Sequence, residues 1–323
     1  MGGGSWATAL AKIVMYSQPS INWYMRRADR IDDFLVMGHN PAYLSDISFD
    51  TSRINFCDDI NRTIEESDTL IFATPSPYLK EHLAKVTVPL VGKHIITAIK
   101  GIVPDENMLV NEYFSHHYGV DPRNIIVIAG ACHAEEIAME HLSYLTIVCR
   151  DIKKANLLSE KVFRTPYLKS SSSRDITGLE YVSTLKNIYA IVAGICNGLK
   201  YGDNFQSVYI PNAFDEMVRF LNVVHPVRRN ITSAAYLSDL LVTSYSTFSR
   251  NRMFGKMIGE GYSVNIAKIE LGMVAEGYYA TKCIHEINER YKVDMPILNA
   301  LYAILYERKP ATAQIKTITE IFK

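Results

Sequence analysis

Four short apolar runs in the first half of the chain constrain its fold more than any other feature. They cover residues 69–73, 94–99, 125–129 and 145–149, and stretches of helical character separate them. Strands that are buried on both faces have continuous apolar sequences, and helices between strands favour parallel pairing. We therefore predict that residues 1–175 form a doubly wound α/β domain with a parallel sheet.

From residue 176 onward the pattern changes to helical periodicity. Residues 178–202 place apolar side chains three or four positions apart, as an amphipathic helix does. Further segments with this spacing lie at 211–224, 232–248, 271–290 and 296–307. We predict that residues 176–323 form a mostly α-helical C-terminal domain, and that the serine-rich segment 170–175 crosses between the two domains.

The charges and cysteines exclude several classes of function. Lys and Arg together number 34, as do Asp and Glu, so no net charge favours nucleic acid or an anionic membrane. The five cysteines are scattered, which disfavours both a disulfide framework and a metal site. No apolar run approaches the ~18 residues of a membrane span, and no leader is apparent. We expect a cytoplasmic protein without a metal, a membrane span or a nucleic-acid partner.

The chain begins with a glycine-rich motif. Gly2, Gly4 and Ala7 have the G-x-G-x-x-A spacing of a turn that holds a dinucleotide pyrophosphate at a helix N-terminus, with the helix predicted over residues 6–16. A flexible glycine-rich start explains the same residues. A strand normally leads into such a turn, but only Met1 precedes it here. Either the motif is a coincidence, or a strand is expected upstream.

Two arginines follow the next predicted strand. The segment SINWYMRRADR (20–30) carries Arg26 and Arg27 where NAD-specific sites have an acidic residue. Guanidinium groups bind phosphate through paired, charge-assisted hydrogen bonds. The segment is therefore interpreted as an NADP or tolerant NAD(P) site, with a solvated basic turn as the alternative.

Small or polar residues follow three of the apolar runs. The segments are FATPSP (72–77), AIKG (98–101) and IAGACHA (128–134). Ligands bind beyond the carboxyl ends of the strands in an open parallel sheet. We expect the three segments to line one crevice.

Blocks along the whole chain resemble the bacterial-type NAD(P)-dependent glycerol-3-phosphate dehydrogenases, in the order of that family. They are GGGSWATALA (2–11), FATPSPYL (72–79), AIKGI (98–102), the segment 178–204, SDLLVTSYSTFSRNRMFG (238–255), MVAEGYYATK (273–282) and DMPILNALYAILYE (294–307). The resemblance implies reduction of dihydroxyacetone phosphate to sn-glycerol 3-phosphate with NADPH or NADH, for glycerophospholipid synthesis. It also implies a Rossmann-like N-terminal domain, a helical C-terminal domain and about five to ten residues of strand upstream of Met1. A homodimer is expected.

Reduction of a ketone needs a proton donor, and the resemblance assigns this role to Lys186, with the reverse role as base. A lysine is rarely buried in a protein core unless it is paired, so its presence in this helix suggests a function. The alternative is a lysine that extends its ammonium group to the surface. Asp239 and Thr243 lie one helical turn apart. We expect Asp239 to orient the ammonium group and Thr243 to bond a substrate oxygen. By resemblance, Lys100 contacts both cofactor and substrate.

An anion clamp is expected from Ser249, Arg250 and Asn251. A phosphate group favours a forked guanidinium together with neutral donors. We assign the substrate phosphate to Arg250, with help from its two neighbours.

The resemblance completes the two sets of binding residues. Those expected at the cofactor are Gly2, Gly4, Ser5, Trp6, Arg26, Arg27, Tyr43, Lys100, Ala134, Arg250, Val274 and Glu276. Those expected at the substrate are Lys100, Gly130, Cys132, Lys186, Asp239, Ser249, Arg250 and Asn251. The family commonly has Ser or Thr at the position of Cys132, whose thiol is a weaker hydrogen-bonding group, so the role of this residue is open.

Two other functions stay open from the sequence. A related hydroxyacid or sugar-phosphate dehydrogenase would also use a lysine on a helix, but the SRN segment (249–251) disfavours it. A nucleotide-binding sensor that has lost catalysis would lack Lys186 or Asp239, and both are present.

Overall fold

The computed structural model describes residues 1–322. The chain divides into two compact units. The first comprises residues 1–99 and 110–176, and the second comprises residues 100–109 together with residues from 177 onward. The predicted division placed residues 100–109 in the first domain, whereas they group with the helical unit.

Strands and helices alternate in the first unit, and helices dominate the second. The strands of the described residues are β1 (Ile21–Tyr24), β2 (Ile54–Cys57), β3 (Thr69–Phe72), β4 (His94–Thr97), β5 (Ile102–Val103), β6 (Met108–Leu109), β7 (Ile125–Ala129), β8 (Ser143–Cys149) and β9 (Leu168–Ser173). The α-helices are α1 (Ser5–Ser17), α2 (Ala28–Met37), α3 (Ile60–Glu65), α4 (Leu79–Leu83), α5 (Val110–Tyr118), α6 (Ala134–Ala138), α7 (Ile152–Lys161), α8 (Ile176–Gly198), α9 (Asp203–Val224), α10 (Asp239–Tyr245), α11 (Arg250–Gly259), α12 (Val264–Leu271), α13 (Glu276–Tyr291), α14 (Pro296–Leu305) and α15 (Ala311–Thr319).

The main sheet of the first unit contains five strands in the order β3-β4-β7-β8-β9. The four predicted apolar runs form β3, β4, β7 and β8, so this part of the prediction is confirmed. The first three are parallel neighbours, with Ile71 opposite Ile96 and Ile96 opposite Ile126. Because parallel strands end at one edge of a sheet, the segments that follow these strands start from the same edge.

One pairing differs from the prediction of a fully parallel sheet. β8 runs antiparallel to β7, with Ile126 opposite Cys149 and Ala129 opposite Thr146. The connection contains only α6, a five-residue helix that rises about 7.5 Å. A five-residue strand such as β7 spans about 16 Å. The connection thus lacks the full crossover helix of a parallel βαβ unit, and β8 starts at the edge of the sheet where β7 ends.

Of the segment 170–175, predicted to cross between the domains, residues 170–173 instead belong to the edge strand β9. It pairs parallel to β8, from Leu168 opposite Ser143 to Ser173 opposite Val148. The hydroxyl groups of Ser171 and Thr146 lie 3.0 Å apart. A strand of short hydroxyl side chains has no apolar alternation, so periodicity does not reveal it.

A second, two-stranded parallel sheet contains β1 and β2. The backbone of the first two residues bonds to strands of both sheets. Gly2 N donates to Tyr24 O at 3.2 Å, and the amino group of Met1 donates to Ile71 O at 2.8 Å. The expectation of a further strand upstream stays a prediction.

Helix α8 forms the centre of the helical unit. The predicted apolar side chains of this helix are buried, and so are Ala190 and Ala193 on the face of Lys186. Gln206 Nε2 donates to Ala193 O at 2.9 Å, so α9 covers part of that face. Although α8 has 23 residues, no helix of residues 1–322 is long and apolar enough to cross a membrane.

Candidate active site

The glycine turn leads directly into α1. Gly2 has φ of +113°, a conformation that favours glycine, and Gly4 is the N-cap residue of the helix. A Cβ on Gly4 would meet no heavy atom within 4 Å, and its φ of −83° is open to any residue. Neither packing nor backbone strain therefore requires glycine there. The missing side chain leaves open space at the positive end of α1, and the N-terminus of a helix favours an anion.

Trp6 connects the first turn of α1 to the end of β4. Its indole Nε1 donates to Ala98 O at 3.1 Å. Ser5, the residue before it, is buried. The indole N–H is thus used inside the protein, and only the ring of Trp6 is left for contact with a ligand.

Arg26 and Arg27 are both exposed and paired with carboxylates. Arg26 Nη1 lies 3.5 Å from Glu81 Oε1, and Arg27 forms an ion pair with Asp29 at the start of α2. Exposed pairs of this kind contribute little to stability, because water and salt screen their attraction. Both guanidinium groups can therefore exchange their partners for a phosphate at small cost.

The loop after β7 is held by its own backbone. Gly130 has φ of +116°, and a Cβ there would lie 2.7 Å from Tyr144 O, so the fold itself requires glycine. Cys132 is buried, and its thiol donates to Gly130 O at 3.4 Å. Ala134 is the first residue of α6. The thiol thus bonds within the loop.

Lys186 and Asp239 form a buried ion pair in the helical unit. Lys186 Nζ donates to Asp239 Oδ1, and the two side chains are 4% and 1% exposed. Asp239 is the first residue of α10 and follows a π-helical turn at Ala234–Ser238. The second carboxylate oxygen, Oδ2, is buried and accepts no hydrogen bond from the described residues. The pair supplies an ammonium proton and a spare acceptor in one place.

Thr243 lies one turn after Asp239 on α10. Its hydroxyl donates to Asp239 O at 2.6 Å. Since that proton is already used, the Thr243 oxygen can only accept from a ligand. The expected contact with a substrate oxygen therefore requires a substrate hydroxyl that donates.

The SRN segment forms the start of α11. Ser249 is the N-cap residue, and its Oγ accepts from Arg252 N at 3.3 Å. Arg250 is the first residue of the helix, where the helix dipole also favours an anion. Asn251 is buried, and its Oδ1 accepts from Gly277 N at 2.9 Å, so its amide group is partly used within the protein.

Asn187 links α8 to the segment of Lys100, and the sequence predicted no role for it. Its Nδ2 donates to Lys100 O at 3.0 Å, and it directly follows Lys186 on α8. A Cβ on Gly277 would lie 2.5 Å from Asn187 O, so the start of α13 touches the backbone of α8. The side chain of Asn187 therefore fixes the backbone of Lys100 relative to α8.

The remaining predicted residues lie in loops or at helix starts. Glu276 begins α13, where a carboxylate is favourable to the helix dipole, and Val274 is half-buried in the loop before it. Tyr43 N donates to the side chain of Asn40 at 3.2 Å. Within the helical unit, contacts thus link Lys186 to Asp239, Asn187 to Lys100, and Asn251 to Gly277.

Sequence reasoning missed Asn40, Thr8 and Asn187. Asn187 stands beside Lys186 in the LKN motif, and this adjacency was the available signal. Asn40 carries no comparable signal, because its partners lie 37 and 32 residues away.

The sheet, the glycine turn and the buried lysine on a central helix define a dinucleotide-dependent dehydrogenase of two units. The family models described as NAD-dependent glycerol-3-phosphate dehydrogenase N-terminus and C-terminus match residues 1–155 and 175–316. The chain belongs to the NAD(P)-dependent glycerol-3-phosphate dehydrogenase family.

Relatives and solved structures agree with this assignment over nearly the whole chain. The chain is 30% identical to glycerol-3-phosphate dehydrogenase (NAD(P)+) of Bacillus subtilis, with 98% of this chain and 92% of that protein covered. It is 32% identical to the Chlorobium phaeobacteroides enzyme of the same name, over 98% and 94%. The crystal structure of glycerol-3-phosphate dehydrogenase from Coxiella burnetii has a TM-score of 0.90 at 26% identity, over 99% of this chain and 97% of that chain.

Proposed function

We propose that the protein reduces dihydroxyacetone phosphate to sn-glycerol 3-phosphate with NADPH or NADH, for glycerophospholipid synthesis. The buried Lys186–Asp239 pair carries the proposal within the family. The bound reduced nicotinamide supplies the hydride. The chain has to supply a proton to the carbonyl oxygen and a site for the phosphate.

Lys186 is proposed as the general acid, and as the base in the reverse direction. Its ammonium group is removed from water and held by Asp239, so it has one fixed direction in which to give a proton. The carboxylate holds the ammonium group in place through Oδ1, and its Oδ2 is a further acceptor beside it. Thr243 is proposed to accept from the hydroxyl group of dihydroxyacetone phosphate, since its own proton is used.

Arg250 is proposed to bind the substrate phosphate. A guanidinium at the first position of α11 adds a forked donor to the positive end of the helix. Ser249 and the amide nitrogen of Asn251 are the neutral donors of the same segment. Lys100 is proposed as a further contact, with its backbone fixed by Asn187.

The first unit is proposed to hold the dinucleotide. The pyrophosphate is assigned to the open space before Gly4, and the ring of Trp6, Ser5 and Tyr43 are assigned to contacts along the cofactor. Gly130, Cys132 and Ala134 are assigned to substrate and cofactor through their backbone groups, and Val274 and Glu276 to the cofactor. We propose that Arg26 and Arg27 favour NADPH, since a 2′-phosphate can replace their exposed carboxylate partners.

A cytoplasmic homodimer remains part of the proposal. Exposed apolar side chains on α12, such as Ile266 and Ile269, support a dimer through the helical domain. Sedimentation of the purified protein would measure its mass directly.

The decisive experiment follows the absorbance of NADPH and NADH with dihydroxyacetone phosphate and, in parallel, with dihydroxyacetone. We expect turnover of the phosphorylated ketone, a lower KM for NADPH than for NADH, and negligible turnover of dihydroxyacetone. Equal turnover of both ketones would favour a related dehydrogenase. Dinucleotide binding without turnover of either ketone would favour a sensor.

A further inference from the structure

Each carbonyl oxygen of the glycine turn, residues 2–4, accepts a hydrogen bond from a buried side chain. Gly2 O accepts from Trp23 Nε1 at 2.7 Å, and Gly3 O accepts from Asn40 Nδ2 at 3.1 Å. Gly4 O accepts from Thr8 Oγ1 at 3.0 Å. Carbonyl oxygens repel a phosphate, so a turn that binds one must keep them directed away from it.

Asn40 uses its whole hydrogen-bonding capacity in this arrangement. Its amide nitrogen donates to Gly3 O and, at 2.8 Å, to Thr8 Oγ1. Its amide oxygen accepts from Ala42 N at 3.0 Å and from Tyr43 N at 3.2 Å. The side chain is fully buried. At this side-chain length, only asparagine has an amide nitrogen that donates twice and an amide oxygen that accepts twice. It therefore satisfies all four partners.

Hydrogen bonds of Thr8 link Asn40 to Gly4, the N-cap residue of α1. Its hydroxyl accepts from Asn40 and donates to Gly4 O, and the side chain is fully buried. The chain Asn40–Thr8–Gly4 therefore ends at the residue whose missing side chain opens the space before α1. The other end of Asn40 fixes the backbone of Tyr43.

We propose that Asn40, acting through Thr8, is a positioning residue for the dinucleotide: it orients the glycine turn toward the pyrophosphate and places the Tyr43 loop beside it. This inference rests on the proposed location of the dinucleotide at the turn. The residue does not touch the ligand. Its effect on the reaction passes through the carbonyl directions of Gly3 and Gly4.

The test measures dissociation constants of NADPH and NADH by calorimetry for matched variants. Thr8→Val removes the hydroxyl at constant shape, and we expect the Kd of both cofactors to rise about tenfold. Thr8→Ser keeps the hydroxyl and should restore a Kd close to that of the wild type. Asn40→Asp loses both donors, and we expect a rise of about a hundredfold.

A control separates positioning from general destabilisation. Thr63→Val removes an equally buried threonine whose hydroxyl donates to Asp59 O at 2.9 Å in the same unit. It should lower the thermal midpoint as Thr8→Val does but leave the Kd unchanged. At saturating cofactor, Thr8→Val should retain the wild-type kcat and KM for the ketone.

Gly4→Val distinguishes failure of this inference from failure of the proposed site. Its side chain would enter the open space, where a Cβ meets no heavy atom within 4 Å. If Gly4→Val weakens cofactor binding while Thr8→Val and Asn40→Asp bind as the wild type does, the positioning role is wrong. If all three variants bind normally, the dinucleotide does not lie at the turn and both proposals fail. If Asn40→Asp does not fold, the comparison of Thr8→Val with Thr8→Ser decides alone.

Discussion

Lys186 illustrates what a buried charge needs at the scale of one residue. Its side chain is 4% exposed, and an ammonium group loses several kcal/mol of hydration on burial. The fold offsets this with one carboxylate on a neighbouring helix. A pair of this kind is weak evidence for stability. Its position in the middle of a buried helix accords with the proposed role as the general acid.

Replacing Lys186 with Ala is expected to lower kcat by a factor of roughly 10²–10⁴, the contribution of a general acid. Cofactor binding in the first unit should persist. The variant Lys256→Ala is the control, because it removes an exposed lysine of α11 and should retain activity. Steady-state kinetics with NADPH and calorimetric binding measure both quantities. Full activity of Lys186→Ala would overturn the assignment of the acid.

Replacing Arg250 with Ala is expected to raise KM for dihydroxyacetone phosphate about a hundredfold, for the loss of a charge-assisted contact of about 3 kcal/mol. Arg252→Ala makes the same change of charge two residues later and should have little effect. Saturation curves for both variants give the comparison. If the two variants have the same KM as the wild type, the phosphate lies elsewhere.

At the scale of elements, α8 and α11 pack with their backbones in contact. A Cβ on Gly255 would lie 1.9 Å from Ile191 O, and a Cβ on Gly194 would lie 2.0 Å from Arg252 O. No rotamer change relieves contact with a backbone oxygen. The two glycines therefore set the separation between the helix of Lys186 and the helix that starts at Arg250.

Gly255→Ala is expected to force the two helices apart, with a loss of roughly 1–3 kcal/mol or more in the free energy of unfolding and a raised KM for the ketone. Gly202→Ala serves as the control, since a Cβ there meets nothing within 4 Å. Urea unfolding and kinetics of both variants are the measurements. An unchanged stability of Gly255→Ala would mean that the backbone contact is not this close.

At the scale of the whole molecule, one buried carboxylate should make stability depend on pH. Glu216 is fully buried on α9, where it accepts from Ile297 N at 2.8 Å and from Leu298 N at 3.0 Å at the start of α14. Tyr189 on α8 donates to it at 3.3 Å. Burial is the largest influence and raises the pKa of Glu216 to about 7, against 4.5 for an ordinary glutamate, while the hydrogen bonds lower it.

The sign of the dependence follows from the raised pKa. Between about pH 4.5 and 7 the unfolded chain releases this proton before the folded chain does, so stability falls as pH rises, by about 3 kcal/mol in total. Glu216→Gln should remove this part of the slope. Urea unfolding of both proteins at pH 5 and pH 8 measures the difference. A constant difference at the two pH values would mean that the helix N-terminus fully compensates the charge.

The sequence predicted the first unit well where strands are apolar and less well where they are not. The apolar runs that form β3, β4, β7 and β8 were identified, because burial on both faces excludes polar residues. The serine strand β9 was not, because its hydroxyl groups bond to neighbours that only the folded sheet supplies. The direction of β8 depends on the short helix α6, and apolar periodicity carries no information on it.

The sequence by itself determined the family, the alternation of strands and helices, the glycine turn and the candidate lysine, arginine and carboxylate, since these are properties of short segments. Only the tertiary structure decided which of them meet. Asp239 reaches Lys186 across 53 residues, and Asn40 reaches the glycine turn across 37. The physical reason is that the spacing of residues along the sequence determines the face of the helix or strand on which a side chain lies. Its hydrogen-bond partners are determined by how whole elements pack.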